Sequence, residues 1–456
     1  MSEQPPASAA TPPREPPRLR SPDRQSLIPP MLLDDLLDSD HQARVVWNFC
    51  LGLDLTPLFD AIGSRVGSPG RAALDPRLGV ALWLYATLEG VGSARALDWL
   101  CVEHNAFRWL TGGVSVNYHT LADFRVDHLE FLDGVLTHSV AVLREQDLVD
   151  LNRVAQDGMR VRASAGAASF RRRPTLEECL EEAKGQVQKL KEEADDDPAG
   201  PSRRQEAARK RAARERLERV QQALERLPEL EAKKKASERG EARASTTDAE
   251  ATVMKMADGG YRPAYNVQFA ADCGSQVIVG VDVLTVGSDM GQMTPMLEQI
   301  GERHEEYPDK YLADGGFAKH EDIERAQTLP CGTTVYVPVP EPRKEKEKEK
   351  EKGSEAVPVA CQPAEGKTPR DKHEPLPGDS ATIGAWRRRM GTAEAKDIYK
   401  ERASTIECVN AQARNRGLLR FRVRGLEKVK AIAMWFAIAH NVMCGVRLRA
   451  AVALQG

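Results

Sequence analysis

The stretch that decides the fold is "AYNVQFAADCGSQVIVGVDVLTVG", residues 264–287. It contains two apolar runs that are joined at Cys273-Gly274-Ser275. Small turn residues between two runs of strand-forming residues are a hairpin signal. We therefore predict two strands that pair through this turn.

Strands and helices alternate on either side of this hairpin. The earlier stretch "RVAQDGMRVRAS" (153–164) alternates in the manner of a strand. After the hairpin come a predicted helix, "GQMTPMLEQIGERH" (291–304), and two short strands, "KYLADGG" (310–316) and "TTVYVPVP" (333–340). This order favours an α/β domain with a mixed sheet, which we assign to residues 149–174 and 246–449.

Two segments interrupt the sheet domain. Residues 175–245 are strongly charged, open with a capping box from Thr175 to Glu178, and place apolar residues three and four apart. This pattern predicts a charged helical hairpin with a coiled-coil seam, and a partly disordered arm is the alternative. The second interruption, 341–385, contains "KEKEKEKEK" and several prolines, so we predict a low-complexity linker.

The chain before the sheet domain divides into two parts. Residues 1–30 are rich in Pro, Ser and Arg, which predicts a disordered tail. Residues 31–148 follow a helical pattern, as in "LGVALWLYATLEG" (78–90), and Ser93 is a candidate N-cap for the next helix. We therefore expect an all-α module here.

Composition excludes several classes of protein. The 456 residues carry a net charge of −3, so any nucleic-acid-binding surface must be local. The eight cysteines form no C-x-x-C pair, which argues against a zinc ribbon or a disulfide framework. Because we find no apolar signal core and no run approaching the roughly 18 residues of a membrane span, we expect a soluble intracellular protein.

Three acidic residues are candidates for chemistry: Asp157 in the first strand, Asp314 at the end of a short strand, and Glu407 within a late helix. Each has an ordinary interpretation as a turn, loop or exposed helix residue. A carboxylate among apolar residues is expensive to desolvate unless it is paired or bound to metal. If the three converge, a divalent cation would relieve their repulsion, and oxygen ligands without His or Cys favour Mg²⁺.

The late helix offers further candidates. Glu407, Asn410 and Arg414 share one helical face, and Tyr399 and Arg402 precede them by one to two turns. Basic residues at this distance from a metal-binding carboxylate are well placed to hold DNA phosphates.

Local charge supports this interpretation. Between Trp386 and Lys430 there are thirteen Lys or Arg residues and five Asp or Glu residues, a net charge of +8. This segment includes "RRR" (387–389) and "RFRVRG" (420–425). The alternative is an ordinary basic helix surface.

Several stretches resemble bacterial insertion-sequence transposases of the DDE class. They are "VAQDGMRVRASAGAASFRRRPTL", "GGYRPAYNVQFAAD", "DMGQMTPMLEQI", "YLADGGFAKHEDI" and "YKERASTIECVNAQARNRGLLRFRVRGLEKV". "GVALWLYATLEGVGSARALDWLCVEHNAFRWLTGG" and "YHTLADFR" look like the helical module that precedes the catalytic domain in that group. The resemblance spans about residues 35–445 and implies a ribonuclease-H-like fold.

The resemblance also implies functional residues. The acidic triad of the class falls on Asp157, Asp314 and Glu407, with Mg²⁺ as cofactor and Mn²⁺ as a possible substitute. A signature on the last catalytic helix falls on Tyr399, Arg402, Glu407 and Arg414. This chain departs from it twice: the Arg-to-Glu spacing is one residue longer, and Arg414 replaces the usual Lys.

The implied function is a DNA transposase that hydrolyses phosphodiester bonds at its element's ends and transfers the freed strand. Its partners would be double-stranded DNA, as terminal inverted repeats and as target, and a second subunit in a homodimer. The helical module would bind DNA ends or mediate dimerisation, and the protein would be cytoplasmic in a bacterium, on the nucleoid. The alternatives are a catalytically silent domesticated transposase and a metal-dependent nuclease that does not join DNA.

The remaining candidates are assigned to structure. Asp258, in "ADGGYRPAYN", imitates Asp314 and is the reserve candidate for the site, although it suits a hairpin turn. Asp272 is predicted to be a turn residue. His119 and His440 lack a paired ligand spacing, so we predict structural roles for both.

Overall fold

The computed structural model describes residues 32–63, 72–196, 203–330, 332–341 and 371–454. The predicted disordered tail, 1–30, and most of the predicted linker, 341–385, lie outside the described residues.

The N-terminal module is all helical where it is described. Its helices are α1 (Gln42–Leu51), α2 (Thr56–Asp60), α3 (Pro76–Leu88), α4 (Ala94–Glu103), α5 (Asn105–Thr111), α6 (Tyr118–Phe124) and α7 (Leu129–Glu145). Ser93 caps α4 as predicted, because its Oγ accepts a hydrogen bond from the Ala96 N–H at 3.4 Å. Asp75 caps α3 in the same way.

The sheet domain contains eight described strands. They are β1 (Arg153–Arg162), β2 (Phe170–Arg171), β3 (Ala244–Ser245), β4 (Thr252–Lys255), β5 (Tyr261–Asp272), β6 (Ile278–Leu284), β7 (Lys310–Leu312) and β8 (Thr334–Tyr336). The main sheet has the order β4-β5-β1-β7-β8, and β6 also pairs with β5. The predicted hairpin is β5 and β6.

Strand directions make this a mixed sheet. Strand β5 is antiparallel to β1, β4 and β6, whereas β1, β7 and β8 are parallel to one another. The sheet is antiparallel from β4 to β1 and parallel from β1 to β8, and this arrangement is consistent with the ribonuclease-H-like fold. The predicted fold class is therefore confirmed.

The charged segment forms a helical hairpin. Its helices are α8 (Arg173–Asp196) and α9 (Arg203–Ala232). Two ion pairs connect the helices: Arg173 with Glu231 at 2.8 Å, and Glu182 with Arg216 at 3.0 Å. An earlier residue of α8 thus pairs with a later residue of α9, so the helices are antiparallel. The pairing of β2 with β3 closes the base of this insertion.

In the described residues, six further helices belong to this domain. They are α10 (Met293–His304), α11 (His320–Gln327), α12 (Ala381–Gly391), α13 (Ala393–Arg402), α14 (Cys408–Asn415) and α15 (Leu426–Ala453). Helix α12 begins inside the range predicted as linker. Helices α13 and α14 are one continuous helical stretch, as predicted, but a π-helical turn, Ala403–Glu407, lies between them.

The closing helix α15 joins the two parts of the molecule. It packs against α3 and α7 of the N-terminal module and against β6 of the sheet. It is long and apolar enough to cross a membrane, so the prediction that no run approaches that length was wrong. Because 83% of its most apolar window is buried inside the protein, its composition is explained by packing in the core.

Candidate active site

Strands β1 and β7 place two of the predicted acids side by side. The parallel pairing ends with Ala155 opposite Leu312. Two residues further along each chain lie Asp157 and Asp314. Because paired strands lie about 4.8 Å apart, the two carboxylates leave the sheet as neighbours.

Asp157 is held by several contacts. Its side chain is 19% exposed. Its Oδ1 accepts a hydrogen bond from the Gly158 N–H at 2.9 Å, and its Oδ2 accepts one from Asn410 Nδ2 at 3.1 Å. Burial raises the pKa of Asp157; the positive charge of Arg402 opposes this rise, and the negative charge of Asp314 adds to it.

The second glycine after Asp314, Gly316, lies against the Asp314 carboxylate. Asp314 caps a short 3₁₀ turn, Gly315–Phe317, and its Oδ1 accepts a hydrogen bond from the Gly316 N–H at 2.7 Å. A Cβ atom on Gly316 would lie 2.9 Å from that same oxygen. The missing side chain therefore lets the chain fold back onto the carboxylate and fix its direction.

Glu407 is joined to Asp157 through Arg402. The Arg402 side chain, 10% exposed, donates from Nη1 to Glu407 Oε1 at 2.7 Å and places Nη2 3.4 Å from Asp157 Oδ1. The outer carboxylate, Glu407, is 55% exposed. Arg402 thus bridges an acid on the sheet and an acid on the helix.

The π-helical turn explains the unusual spacing between Arg402 and Glu407. In an α-helix, residues three or four apart share a face, whereas residues five apart do not. A π-helical turn adds one residue to the turn, so that residues five apart come together. The extra residue that sets this chain apart from the common signature is therefore absorbed at Ala403–Glu407.

The charged groups of this cluster shift the pKa values of their neighbours. Burial would lower the pKa of Arg402, but the neighbouring negative charges, led by Asp157, raise it above its ordinary value. Burial raises the pKa of the half-buried Tyr399 phenol, and the three neighbouring carboxylates raise it further. All three acids, the arginine and the tyrosine therefore share one electrostatic environment.

The structure separates the four residues predicted to contact DNA phosphates into two groups. Asn410 is 2% exposed and Arg402 is 8% exposed, and both direct their side chains at Asp157. Tyr399 is half-buried, whereas Arg414 is exposed. In this conformation Arg414 is the member of the group with the freest access to a solvent-side ligand.

The cluster has the ligand chemistry that a hard divalent cation prefers. Among the residues that the structure describes, no three acidic, His or Cys side chains are close enough, as they stand, to hold a metal ion. Arg402 contacts two of the three candidate acids. The buried Asn410 Oδ1 has no hydrogen-bond partner and lies beside Asp157, so an oxygen-rich set fits Mg²⁺.

A second polar cluster, which the sequence analysis missed, lies on the opposite face of β1. Asp289, 6% exposed, accepts hydrogen bonds from Asn266 Nδ2 at 2.6 Å and Gln268 Nε2 at 2.7 Å, and pairs with Arg160 at 2.9 Å. A Cβ atom on Gly158 would lie under 3.0 Å from this cluster. The two amide side chains within the otherwise apolar strand β5 are the sequence signal that could have revealed this cluster.

The remaining candidates have structural contacts. Asp258 is exposed between β4 and β5 and pairs with Arg262 at 2.7 Å. Asp272 accepts a hydrogen bond from the Ser275 N–H at 2.8 Å in the hairpin turn. His119 is exposed, and His440 is buried with its Nε2 2.8 Å from the Gln276 carbonyl oxygen.

Comparison with protein families agrees with this geometry. The family described as Transposase DDE domain matches residues 241–442, and the family described as Transposase domain (DUF772) matches residues 32–127. Both matched domains are typical of insertion-sequence transposases. No curated protein and no solved structure matches the chain.

The family matches bear unequally on the three acids of this transposase. Asp314 and Glu407 lie within the matched range, whereas Asp157 lies before residue 241, beyond the charged hairpin. The assignment of Asp157 therefore depends on the register of β1 with β7 and on its contacts with Arg402 and Asn410.

Proposed function

We propose that this transposase hydrolyses phosphodiester bonds at the ends of its own element and then joins the freed 3′-hydroxyl to target DNA. The observation that carries this proposal is the position of Asp157 beside Asp314 at one edge of parallel strands, with Glu407 tied to Asp157 through Arg402. Acids that neighbour one another on a sheet edge and a helix are suited to share divalent cations.

Asp157, Asp314 and Glu407 would hold Mg²⁺, for which Mn²⁺ can substitute. When bound, such ions lower the pKa of an attacking water or hydroxyl and stabilise the leaving oxygen. Asn410 orients Asp157 by its hydrogen bond to Oδ2. Arg402 balances the charges of Asp157 and Glu407 through its ion pairs with both carboxylates.

The DNA would lie along the basic segment that contains the catalytic helix. Residues 386–430 carry a net charge of +8, and Arg414 is exposed seven residues after Glu407. We expect Arg414 and the Tyr399 hydroxyl to contact phosphates near the cleaved bond. The N-terminal module would bind element ends or mediate dimerisation, with a homodimer as the active complex in the bacterial cytoplasm.

The test is a cleavage and joining assay on labelled duplexes that carry the element ends, with Mg²⁺ and the full-length protein. Asp157→Asn, Asp314→Asn and Glu407→Gln should each abolish both products. Asp397→Asn, an exposed acid paired with Lys400 on the same helical stretch, is the matched control. Full activity of Asp157→Asn would remove that residue from the site.

The same assay separates the alternatives. Cut ends without joined products would identify a metal-dependent nuclease. Specific binding without cutting would identify a catalytically silent, domesticated DNA-binding protein. Joined products from paired ends support the transposase.

A further inference from the structure

A cavity of about 560 Å³ lies where the N-terminal module meets the sheet domain. One wall is the loop after α3, Gly90–Gly92, together with Arg125 after α6. The other wall is the loop after α14, residues 416–422, and Ser164 after β1 borders it. The cavity is thus built from both parts of the chain.

The charged lining of this cavity is entirely cationic. Arg125, Arg416, Arg420 and Arg422 line it, and none of its described lining residues is acidic. Within the described part of the chain, none of the four arginines forms a recorded ion pair. Four guanidinium groups around one cavity without a carboxylate repel each other, and a bound anion would relieve that repulsion.

Arg125 forms the floor and is the least satisfied of the four. It is 9% exposed, and its guanidinium lies 4.5 Å from the centre of the Trp83 ring. Its Nη1 donates to the Gly92 carbonyl oxygen at 2.7 Å, but its buried Nε has no hydrogen-bond partner. A buried cation without a counter-ion is costly.

The Arg125 guanidinium keeps its positive charge at neutral pH. Burial and the positive charge of Arg422 lower the pKa of Arg125 to about 10, which still leaves the guanidinium protonated. The other arginines are arranged by depth: Arg416 is half-buried, and Arg420 and Arg422 are exposed. Positive charge therefore extends from the surface to the bottom of the cavity.

Two glycines allow the loops that frame the cavity to lie close to each other. Gly90 and Gly417 have φ values of +69° and +90°, a region that favours glycine. A Cβ atom on Gly417 would lie 3.4 Å from the Gly90 carbonyl oxygen. The two glycines bring the module and the catalytic helix together and fix the position of the arginines.

We propose that this cavity binds a backbone phosphate of the DNA substrate, a few nucleotides from the bond that is cut. The proposal rests on the proposed function. Arg416 follows Glu407 by nine residues, about 13 Å along a helix. That distance corresponds to a few nucleotide steps of one DNA strand. The module and the sheet domain then grip one strand together.

Binding of a labelled element-end duplex, measured by fluorescence anisotropy in EDTA across a salt series, tests the proposal without any cleavage. Arg416→Gln and Arg420→Gln should each weaken binding about equally for all sequences and reduce the salt slope by about 1. Arg325→Gln, an exposed arginine outside both this cavity and residues 386–430, is the matched control and should leave the salt slope unchanged. Thermal unfolding verifies that each variant is folded.

A methylphosphonate at single positions of the duplex removes one backbone charge at a time. At one position, a few nucleotides from the cut, the substitution should weaken binding by the wild type but not further weaken binding by Arg416→Gln. Independent, additive losses at every position would overturn the proposal. Stabilisation by inorganic phosphate that is lost in Arg416→Gln, with an unchanged DNA salt slope, would also overturn it and assign the cavity to a free phosphate.

Discussion

Replacement of Asn410 by alanine tests whether the helix positions the Asp157 carboxylate on the sheet. The substitution removes the hydrogen bond from Nδ2 to Asp157 Oδ2, which is 3.1 Å long. A hydrogen bond to a charged group stabilises by about 1.5–3 kcal/mol. Asp157 is 19% exposed, so water would partly replace the lost donor.

A second effect of Asn410→Ala acts in the opposite direction. The Asn410 Oδ1 atom is buried without a partner, and loss of such an atom recovers about 1–3 kcal/mol of desolvation free energy. The two terms nearly offset, so we expect the free energy of unfolding to change by about 1 kcal/mol or less. Activity should respond differently, because residues that orient metal ligands affect metal affinity or rate about 10–100-fold.

The assay is the initial rate of cleavage across a Mg²⁺ titration, with urea unfolding measured in parallel. Asn410→Ala should need more Mg²⁺, cleave more slowly, or both, at nearly unchanged stability. Asn415→Ala, an exposed asparagine of the same helix, is the matched control. A wild-type rate and Mg²⁺ dependence for Asn410→Ala, in a preparation where Asp157→Asn is inactive, would refute the positioning role.

Three further predictions follow from the packing. Gly158→Ala should lower the free energy of unfolding by about 1–3 kcal/mol, because its Cβ would enter the buried polar cluster beneath β1. In the control Gly134→Ala on α7, the new Cβ would contact no other atom, so this variant should be slightly more stable than the wild type. Urea unfolding distinguishes the two variants. Deletion of the exposed Ser404 should convert the π-helical turn to α-helix and retain cleavage. Deletion of Cys408, which lies between Glu407 and Asn410, should rotate these two residues apart and abolish cleavage. Burial lowers the pKa of His440 to about 4, whereas its pKa in the unfolded chain is about 6.5. The neutral imidazole therefore contributes stability above pH 6.5, and this contribution is lost as the pH falls towards 4. At pH 5 the wild type should lose about 2 kcal/mol of unfolding free energy relative to His440→Gln, which paired urea titrations measure.

Much of the sheet domain could be predicted because its signals are local. The alternation in β1 and the turn between β5 and β6 depend on neighbouring residues, and so does the placement of Asp157 and Asp314 on or after strands. The strand β4 was missed, because only one of its four residues, Met254, is buried and the segment has no apolar run. Helix α15 was underestimated, because polar residues interrupt an apolar run that packs on several sides.

The details of the site could not be predicted from spacing. The sequence showed that Arg402 and Glu407 are one residue further apart than usual, but not that a π-helical turn would restore their contact. It placed Asn410 on the face of Glu407, but not inside the protein against a strand more than 250 residues earlier. Such contacts depend on how the helix docks on the sheet, which no local pattern encodes.

The position of α15 has a consequence for synthesis of the protein. Its residues complete the core of a helical module whose own chain ends some 280 residues earlier, and Trp435 donates a hydrogen bond to the Arg125 carbonyl oxygen. Chains are made from the N-terminus, so the module emerges from the ribosome long before this helix exists. A prematurely terminated chain would therefore lack a finished module, and only full-length transposase would present it in final form to DNA.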